Sequence, residues 1–264
     1  MNVREIEAFF DVLYPKERSC KWDNDGLLVC PDREREVKRV FTCLDVTFHV
    51  IERAVAEKAD LIVSHHPLIF SPLSRVTEDT VVGQKVLMLL EAGISLISLH
   101  TRLDGAVGGL NEHFARTLGI ASEFGPPLLP DEPYIGGIGN IEARLSPEGF
   151  ASNVSRALNA PVRLCSAGLD IHRVGYCCGG GKDLVEPALE MGADAFVGGD
   201  ISYHVAQSAA ERGMTVIDCG HHASEVFAAD LLCDALKSLS DALEISPVKE
   251  ALGGEIVDYT KLFC

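Results

Sequence analysis

The feature that most constrains the fold is a regular alternation of short apolar runs with amphipathic segments. Apolar runs of strand length are VKRVFTCLD, ADLIVSHH, GISLISLH, HRVGYCC, ADAFVGGD and GMTVIDCGH. Segments with helical periodicity are FHVIERAVAEK, VGQKVLMLLEA, LNEHFARTLG, DLVEPALEMG and SYHVAQSAAERG. This alternation is typical of α/β proteins, whose sheets are largely parallel. We therefore predict an α/β fold with mostly parallel central sheets flanked by helices.

Two parts of the chain repeat the same order of features. Residues 57–66 form an apolar run that ends in polar residues, and after a helical segment residues 92–100 form a second run that ends in His. Residues 191–200 and 212–221 repeat this order. We predict two interlinked α/β units, although any two βαβ segments share such features. A Pro- and Gly-rich stretch at 123–140 indicates a boundary. The predicted domains are 1–124 with 215–264, and 125–214.

Charge and cysteine content limit the functional classes. The chain has 264 residues and a formal net charge of −16, which disfavours general electrostatic binding to nucleic acid. The amphipathic first segment does not resemble a secretory signal, and no uninterrupted apolar run is long enough to span a membrane. The nine cysteines include no CxxC pair, so we interpret most of them as small buried hydrophobic residues. These features predict a cytoplasmic protein.

Polar clusters follow four of the predicted strands, and the carboxyl edge of an open α/β sheet is where ligands bind. Two adjacent imidazoles at a strand end, His65 and His66, could each bind a separate metal ion. The alternative is one capping and one exposed histidine. His221 and Glu225 lie four residues apart at a predicted helix start, where they share a face. They could bind a metal, although such surface pairs are common.

Asp104 also follows a predicted strand end, close to His100. His100 could bind metal or carry a proton, whereas its alternative role is a hydrogen-bonded residue at the edge of the core. Imidazole and carboxylate ligands suit two borderline divalent ions bridged by Glu225. We predict metal ligands at His65, His66, Asp104, His221 and Glu225, and catalytic roles for His100 and His204.

Two further features border the predicted site. The Gly-rich run at 179–181 could hold a phosphate, but it lacks Walker A spacing and is better explained as a tight structural turn. Asp200 and His204 are four residues apart, as are His221 and Glu225. They could act as an acid/base pair or as outer-sphere partners of the metal site, or they could form a buried structural pair. Arg102 is expected to contact a substrate anion or an Asp, because a guanidinium cannot ligate metal.

The chain resembles the GTP cyclohydrolase I type 2 / Nif-three-like family of dinuclear metal-centre proteins. The resemblance rests on WDNDGL at 22–27, ADLIVSHHPLIF at 59–70, LHTRLD at 99–104, ADAFVGGDISYH at 193–204 and VIDCGHHASE at 216–225. It implies that the same five ligands hold two divalent ions per subunit (Zn, Fe, Mn or Ni) in a homohexameric ring. Arg102 and His222 depart from the family pattern, which usually has a small polar residue and Tyr there.

The resemblance and the residues together predict a metal-dependent hydrolase that acts on a nucleotide-like small molecule. In the cyclohydrolase version, activated water attacks C8 of guanine and formate leaves, while Arg75, Arg102 or Lys182 receives the triphosphate. One alternative is phosphoester cleavage, for which dinuclear sites are equally suited. The other is a ring without enzymatic activity that binds metal or a partner protein.

Overall fold

A computed structural model describes residues 1–121, 128–132 and 135–249. The helices are α1 (Val3–Leu13), α2 (Phe48–Ala56), α3 (Val81–Ala92), α4 (Thr101–Asp104), α5 (Leu110–Thr117), α6 (Pro147–Leu158), α7 (Val185–Glu190), α8 (Tyr203–Glu211), α9 (His221–Glu225) and α10 (Ala228–Leu239). The strands are β1 (Gly26–Val29), β2 (Arg39–Cys43), β3 (Leu61–Ser64), β4 (Ser95–Ser98), β5 (Ile120–Ala121), β6 (Gly137–Leu145), β7 (Arg163–Cys165), β8 (Ile171–Gly180), β9 (Ala195–Gly199), β10 (Thr215–Asp218) and β11 (Glu244–Val248). Short 3-10 turns occur at Lys16–Arg18 and Lys182–Leu184.

The chain divides into two compact units. The first contains residues 1–100 and the described residues from Ala228 onward, and the second contains Thr101–Phe227. The α/β prediction is confirmed, because each unit has a sheet flanked by helices. The units are interlinked in sequence, since the chain leaves the first unit and later returns to it.

The first unit has a five-stranded sheet in the order β1-β4-β3-β2-β11. Its last four strands are parallel, and β1 pairs antiparallel to β4. Phe41 and Cys43 of β2 pack with the apolar faces of α2 and α3. Thr42 points to the opposite face of the sheet, where its hydroxyl donates to the carbonyl of Ala229 in α10. The sheet is therefore covered on both faces.

The second unit has a six-stranded sheet in the order β5-β6-β8-β9-β10-β7. Only β8, β9 and β10 are mutually parallel, and the remaining three pairings are antiparallel. The mostly parallel sheet predicted from the sequence thus describes the first unit and the centre of the second. Phe196 and Val216 lie in a core that includes Val185 and Ala188 of α7 and Ala209 of α8.

The units begin and end at different residues from the predicted domains. Residues 101–124 and 215–227 were assigned to the first domain, but the described part of both stretches lies in the second unit. The reason is strand pairing: Ile120 of β5 pairs with Ile141 of β6, and β10 lies between β9 and β7. The predicted boundary at 123–140 therefore begins after β5 and overlaps the start of its partner strand β6, and residues 123–127 and 133–134 of this region are outside the described part.

Both repeated segments form the same βαβ arrangement. Strands β3 and β4 are parallel neighbours connected through α3, and β9 and β10 are parallel neighbours connected through α8. Each unit therefore has adjacent strands whose carboxyl ends lie at one edge of its sheet. Within the described residues, no helix is both long enough and apolar enough to cross a membrane.

The cysteine interpretation also holds for the described residues. All eight described cysteines are free thiols, and six of them are buried: Cys20, Cys43, Cys177, Cys178, Cys219 and Cys233. Cys264 lies outside the described residues. These thiols behave mainly as small core residues, as their apolar sequence contexts predict.

Candidate metal centre

Four chain segments supply polar side chains to one edge of the first sheet. Asp45 follows β2, His65 and His66 follow β3, and His100 follows β4. Because these strands are parallel neighbours, their carboxyl ends meet at the same edge. Asp23 joins them from the amino end of β1, since β1 runs antiparallel to β4 with Gly26 opposite Ser98.

His65 is completely buried at this edge. Its Nδ1 lies 3.3 Å from the carbonyl oxygen of Leu99. A carbonyl oxygen only accepts hydrogen bonds, so this contact requires the proton of a neutral imidazole on Nδ1. The lone pair is then on Nε2, which is the arrangement that a metal-binding histidine needs.

Carboxylates orient the other two histidines in the same way. Nδ1 of His66 lies 2.8 Å from Oδ1 of Asp45, and Nδ1 of His100 lies 2.8 Å from Oδ1 of Asp23. The Asp23 side chain is fully buried. A carboxylate on Nδ1 fixes the ring and leaves Nε2 of the neutral imidazole as the ligand atom. Both pairs thus have the carboxylate–histidine geometry found around protein-bound metals.

The three imidazoles form one cluster within the first unit. Ring centroids are 5.0 Å apart for His65 and His66, 5.3 Å for His65 and His100, and 5.7 Å for His66 and His100. One ligand atom from each ring lies within 4.8 Å of those of the other two. Three neutral imidazoles at this spacing can hold a borderline divalent cation. His100 is therefore placed to act as a ligand or as a proton carrier.

In the second unit, the predicted ligands His221 and Glu225 are in direct contact. Nε2 of His221 lies 3.0 Å from Oε2 of Glu225, which is 3% exposed. Nδ1 of His221 lies 2.8 Å from Oδ2 of Asp200. If Nδ1 carries the only proton, a lone pair on Nε2 faces a carboxylate oxygen. That approach is favourable only with a second proton on the ring or a cation near both atoms, so the pair fits a metal site.

Asp200 adopts an unusual backbone conformation to reach His221. Its φ of 57° lies in the left-handed region, which non-glycine residues rarely occupy. Strain of this kind persists where the surrounding structure requires it, often at functional sites. The interpretation of Asp200 as an outer-sphere partner thus agrees with the geometry, and that partner is His221.

Asp104 is fixed by contacts with the end of β8. Its Oδ1 lies 3.5 Å from Sγ of Cys178, and its carbonyl accepts a hydrogen bond from Nδ2 of Asn111 at 3.3 Å. Oδ1 of Asn111 in turn accepts from the Cys178 amide at 2.9 Å. Burial raises the pKa of the Cys178 thiol, and the Asp104 carboxylate raises it further. The thiol stays protonated and can donate to Asp104.

The Gly-rich turn provides space for the predicted ligands. Gly179 has a φ of +65°, and a Cβ there would lie 3.0 Å from Cδ of Glu225 and 3.4 Å from Nε2 of His221. Its amide donates to Oγ of Ser224 at 2.8 Å, and that hydroxyl donates to the carbonyl of His221. Gly179 is thus required by its conformation and by the close carboxylate, which favours the structural explanation of the turn over a phosphate loop.

Two further predicted residues, His204 and Arg102, do not take part in the contacts described above. His204 is exposed on α8, where its ring contacts that of Tyr203 at 5.2 Å. It lines a cleft of about 360 Å³ with Lys182, Asp183, Val185, Glu186, Val205, Ser208 and Ala209. Arg102 is 1% exposed. The expected Asp200–His204 pair does not form, because the Asp200 carboxylate contacts His221.

Several site residues were not predicted from the sequence. Asp45 had the same signal as the predicted ligands, since it follows an apolar strand. Asp23 lies within the WDNDGL motif, but its position depends on the antiparallel pairing of β1 with β4. Asn111 and Cys178 reach Asp104 only through packing of α5 against β8, which no local sequence pattern reveals.

Comparisons with known proteins agree with these features. The family model for Duf34/NIF3 (NGG1p interacting factor 3) matches residues 1–250. A protein of Lactococcus lactis named GTP cyclohydrolase 1 type 2 homolog is 32% identical over 95% of this chain and 97% of its own length.

Solved structures show the same fold. The Staphylococcus aureus hypothetical protein SA1388 superposes with a TM-score of 0.84 at 26% identity, covering 97% of this chain and 99% of that one. Reduced HcgD from Methanocaldococcus jannaschii gives a TM-score of 0.81 at 29% identity, covering 93% and 96%. With a family match over nearly its whole length, this chain belongs to the Duf34/NIF3 family.

Proposed function

We propose that the chain is a metal-dependent hydrolase with a dinuclear centre that acts on a nucleotide-like substrate. The observation that carries the proposal is the histidine cluster of the first unit. Nδ1 of each of its three imidazoles lies next to an acceptor, which leaves Nε2 of His65 and His66 for metal and Nε2 of His100 for proton transfer. One ring nitrogen of each lies within 4.8 Å of those of the other two. The Lactococcus lactis relative is named for GTP, which supports a nucleotide as the substrate.

The proposed ligands are the five residues predicted from the sequence: His65, His66, Asp104, His221 and Glu225. The proposal assigns these five residues to two ions, with Glu225 bridging. Imidazole nitrogens and carboxylate oxygens suit Zn, Fe, Mn or Ni better than a hard ion such as Ca²⁺, which prefers oxygen ligands alone.

Two divalent ions would supply an acidified water and polarise the substrate. The residues of the chain have separate proposed roles in the reaction. Asp23 keeps the Nδ1 proton of His100 in place, so Nε2 of His100 can accept a proton and release it again. His204 is the second proposed proton carrier, and it lies in the cleft that also contains Lys182. Lys182 supplies positive charge there for a phosphate group.

Incubation of metal-loaded protein with GTP tests the reaction. Release of formate without inorganic phosphate is the expected result and indicates ring opening. Release of phosphate without formate would instead indicate phosphoester cleavage. If loaded protein releases neither, from GTP or from a panel of nucleotides and phosphoesters, the hydrolase proposal fails and a metal- or partner-binding ring takes its place. The control is Glu225→Ala, which should abolish whichever product the unaltered chain releases.

We also propose that the protein forms a homohexamer, as the family resemblance implies. Each chain has a mass of 28.5 kDa. Sedimentation equilibrium should therefore give a particle about six times heavier. A monomer or dimer mass at micromolar concentration would contradict the ring.

A further inference from the structure

Two large aromatic side chains are exposed next to each other in the first unit. Trp22 is 53% exposed and Phe70 is 51% exposed, and their ring centroids lie 6.1 Å apart with an angle of 55° between the planes. Single exposed apolar residues are normal on a protein surface. An adjacent pair of half-exposed aromatic rings is a larger apolar surface, of the kind that marks ligand sites.

The pair lies against the histidine cluster. The ring of His100 is 6.1 Å from that of Trp22 and 6.2 Å from that of Phe70, and it is nearly perpendicular to both. The same ring lies 5.3 Å from His65 and 5.7 Å from His66. A series of ring contacts thus leads from the candidate metal ligands to solvent, so a molecule on the aromatic pair would lie beside the ligands.

Hydrogen bonds hold the segments that carry the two rings. Nδ2 of Asn24 donates to the carbonyl of Ile69 at 2.5 Å, which joins the segment of Trp22 to that of Phe70. Asp23, the residue after Trp22, contacts Nδ1 of His100. Because both segments are fixed, the rings lose little freedom when a ligand binds, and preorganisation of this kind favours affinity.

We propose that Trp22 and Phe70 form a stacking surface for a flat heteroaromatic ring of the nucleobase class. This inference rests on the proposed function and names the part of the substrate that supplies binding energy. The chain has a net charge of −16, which opposes the approach of a polyphosphate. A base has a π face that can stack on aromatic side chains whatever the charge. The ring of the substrate therefore supplies much of the affinity.

The first experiment uses Trp22 as its own reporter, since it is the only tryptophan of the chain. Metal-loaded protein is titrated with guanosine, GTP and inorganic tripolyphosphate while tryptophan emission is recorded. Guanosine and GTP should change the emission saturably, and tripolyphosphate should not. The proposal is overturned if neither guanosine nor GTP gives a saturable change, or if tripolyphosphate gives the same change as GTP.

Variants then test the two rings. Trp22→Leu and Phe70→Leu should each weaken GTP binding by about 5- to 100-fold in equilibrium dialysis, the range expected for loss of a base–aromatic stack. The matched control is Leu73→Ala, which removes a 40% exposed aliphatic side chain three residues after Phe70. Its effect should stay within about twofold, because it removes no π face. Equal losses in all three variants would contradict stacking.

Two measurements separate the possible failures. Bound metal per chain should be the same in the three variants and the unaltered protein. Absence of metal from all of them would defeat the dinuclear proposal, while the same emission titration on the metal-free protein would still decide the stacking surface. Sedimentation detects the competing occupant, a second copy of this chain. If Trp22→Leu and Phe70→Leu lower the particle mass but leave GTP affinity intact, the surface is a subunit contact and the inference is wrong.

Discussion

Substitution of Gly179 by Ala should damage the metal site more than the fold. A Cβ at this position would lie 3.0 Å from Cδ of Glu225 and nearer still to its carboxylate oxygen. Optimal carbon–carbon contacts are about 3.5–4.0 Å, so the carboxyl group must retreat by about 0.5–1 Å. Metal–ligand distances tolerate only about 0.2 Å. The same substitution places an alanine at a φ of +65°, which costs about 1–2 kcal/mol.

The assay compares Gly179→Ala with Gly180→Ala. A Cβ at Gly180 would meet nothing within 4 Å, and Gly180 is not among the glycines with positive φ. Metal affinity measured by isothermal titration should fall about 10- to 100-fold in Gly179→Ala, as for loss of ligand positioning elsewhere. The Gly180→Ala variant should match the unaltered chain. Equal metal affinity in the two variants would refute the view that Gly179 makes room for Glu225.

The remaining predictions concern the ligands, their partners and a buried thiol. Glu225→Ala should sharply lower bound metal per chain, measured by elemental analysis, with an unchanged circular dichroism spectrum; unchanged metal would remove Glu225 from the ligand set. Asp45→Asn and Asp200→Asn should each weaken metal binding about 10- to 100-fold in calorimetry, because each carboxylate orients a histidine. Burial raises the pKa of the Cys43 thiol above its ordinary value of 9.0. As pH rises, this thiol therefore ionises in the unfolded chain before it ionises in the folded chain. The free energy of unfolding should therefore fall above about pH 9, and it should fall less steeply in Cys43→Ala. Identical slopes of unfolding free energy against pH in the two proteins would contradict the raised pKa of Cys43.

Much of the fold follows from patterns of short range. Buried parallel strands such as β3 and β9 are continuous apolar runs, and those are visible in the sequence. Strand β6 was missed because it is partly exposed and contains Gly139, Glu142 and Arg144, which interrupt any apolar pattern. Helix α6 was also omitted, although Ser146 followed by Pro147 is a helix start signal.

The sequence pointed to candidate site residues where a possible ligand type coincided with a strand end. His65 and His66 follow β3 directly, so their placement needs no knowledge of strand order. Their partners do need it: Asp45 reaches His66 only because β2 is the neighbour of β3. Asp23 likewise requires the antiparallel β1. The compact units differ from the predicted domains for a similar reason, since pairing of β5 with β6 is a long-range property.

Anomalous diffraction from crystals of the metal-loaded protein tests the dinuclear proposal most directly. Data collected on both sides of the absorption edge should give two peaks per chain about 3.5–4 Å apart. His65, His66, Asp104, His221 and Glu225 should all lie within bonding distance of one or both peaks. No peak at these side chains, in crystals whose protein was shown to contain metal, would contradict the account.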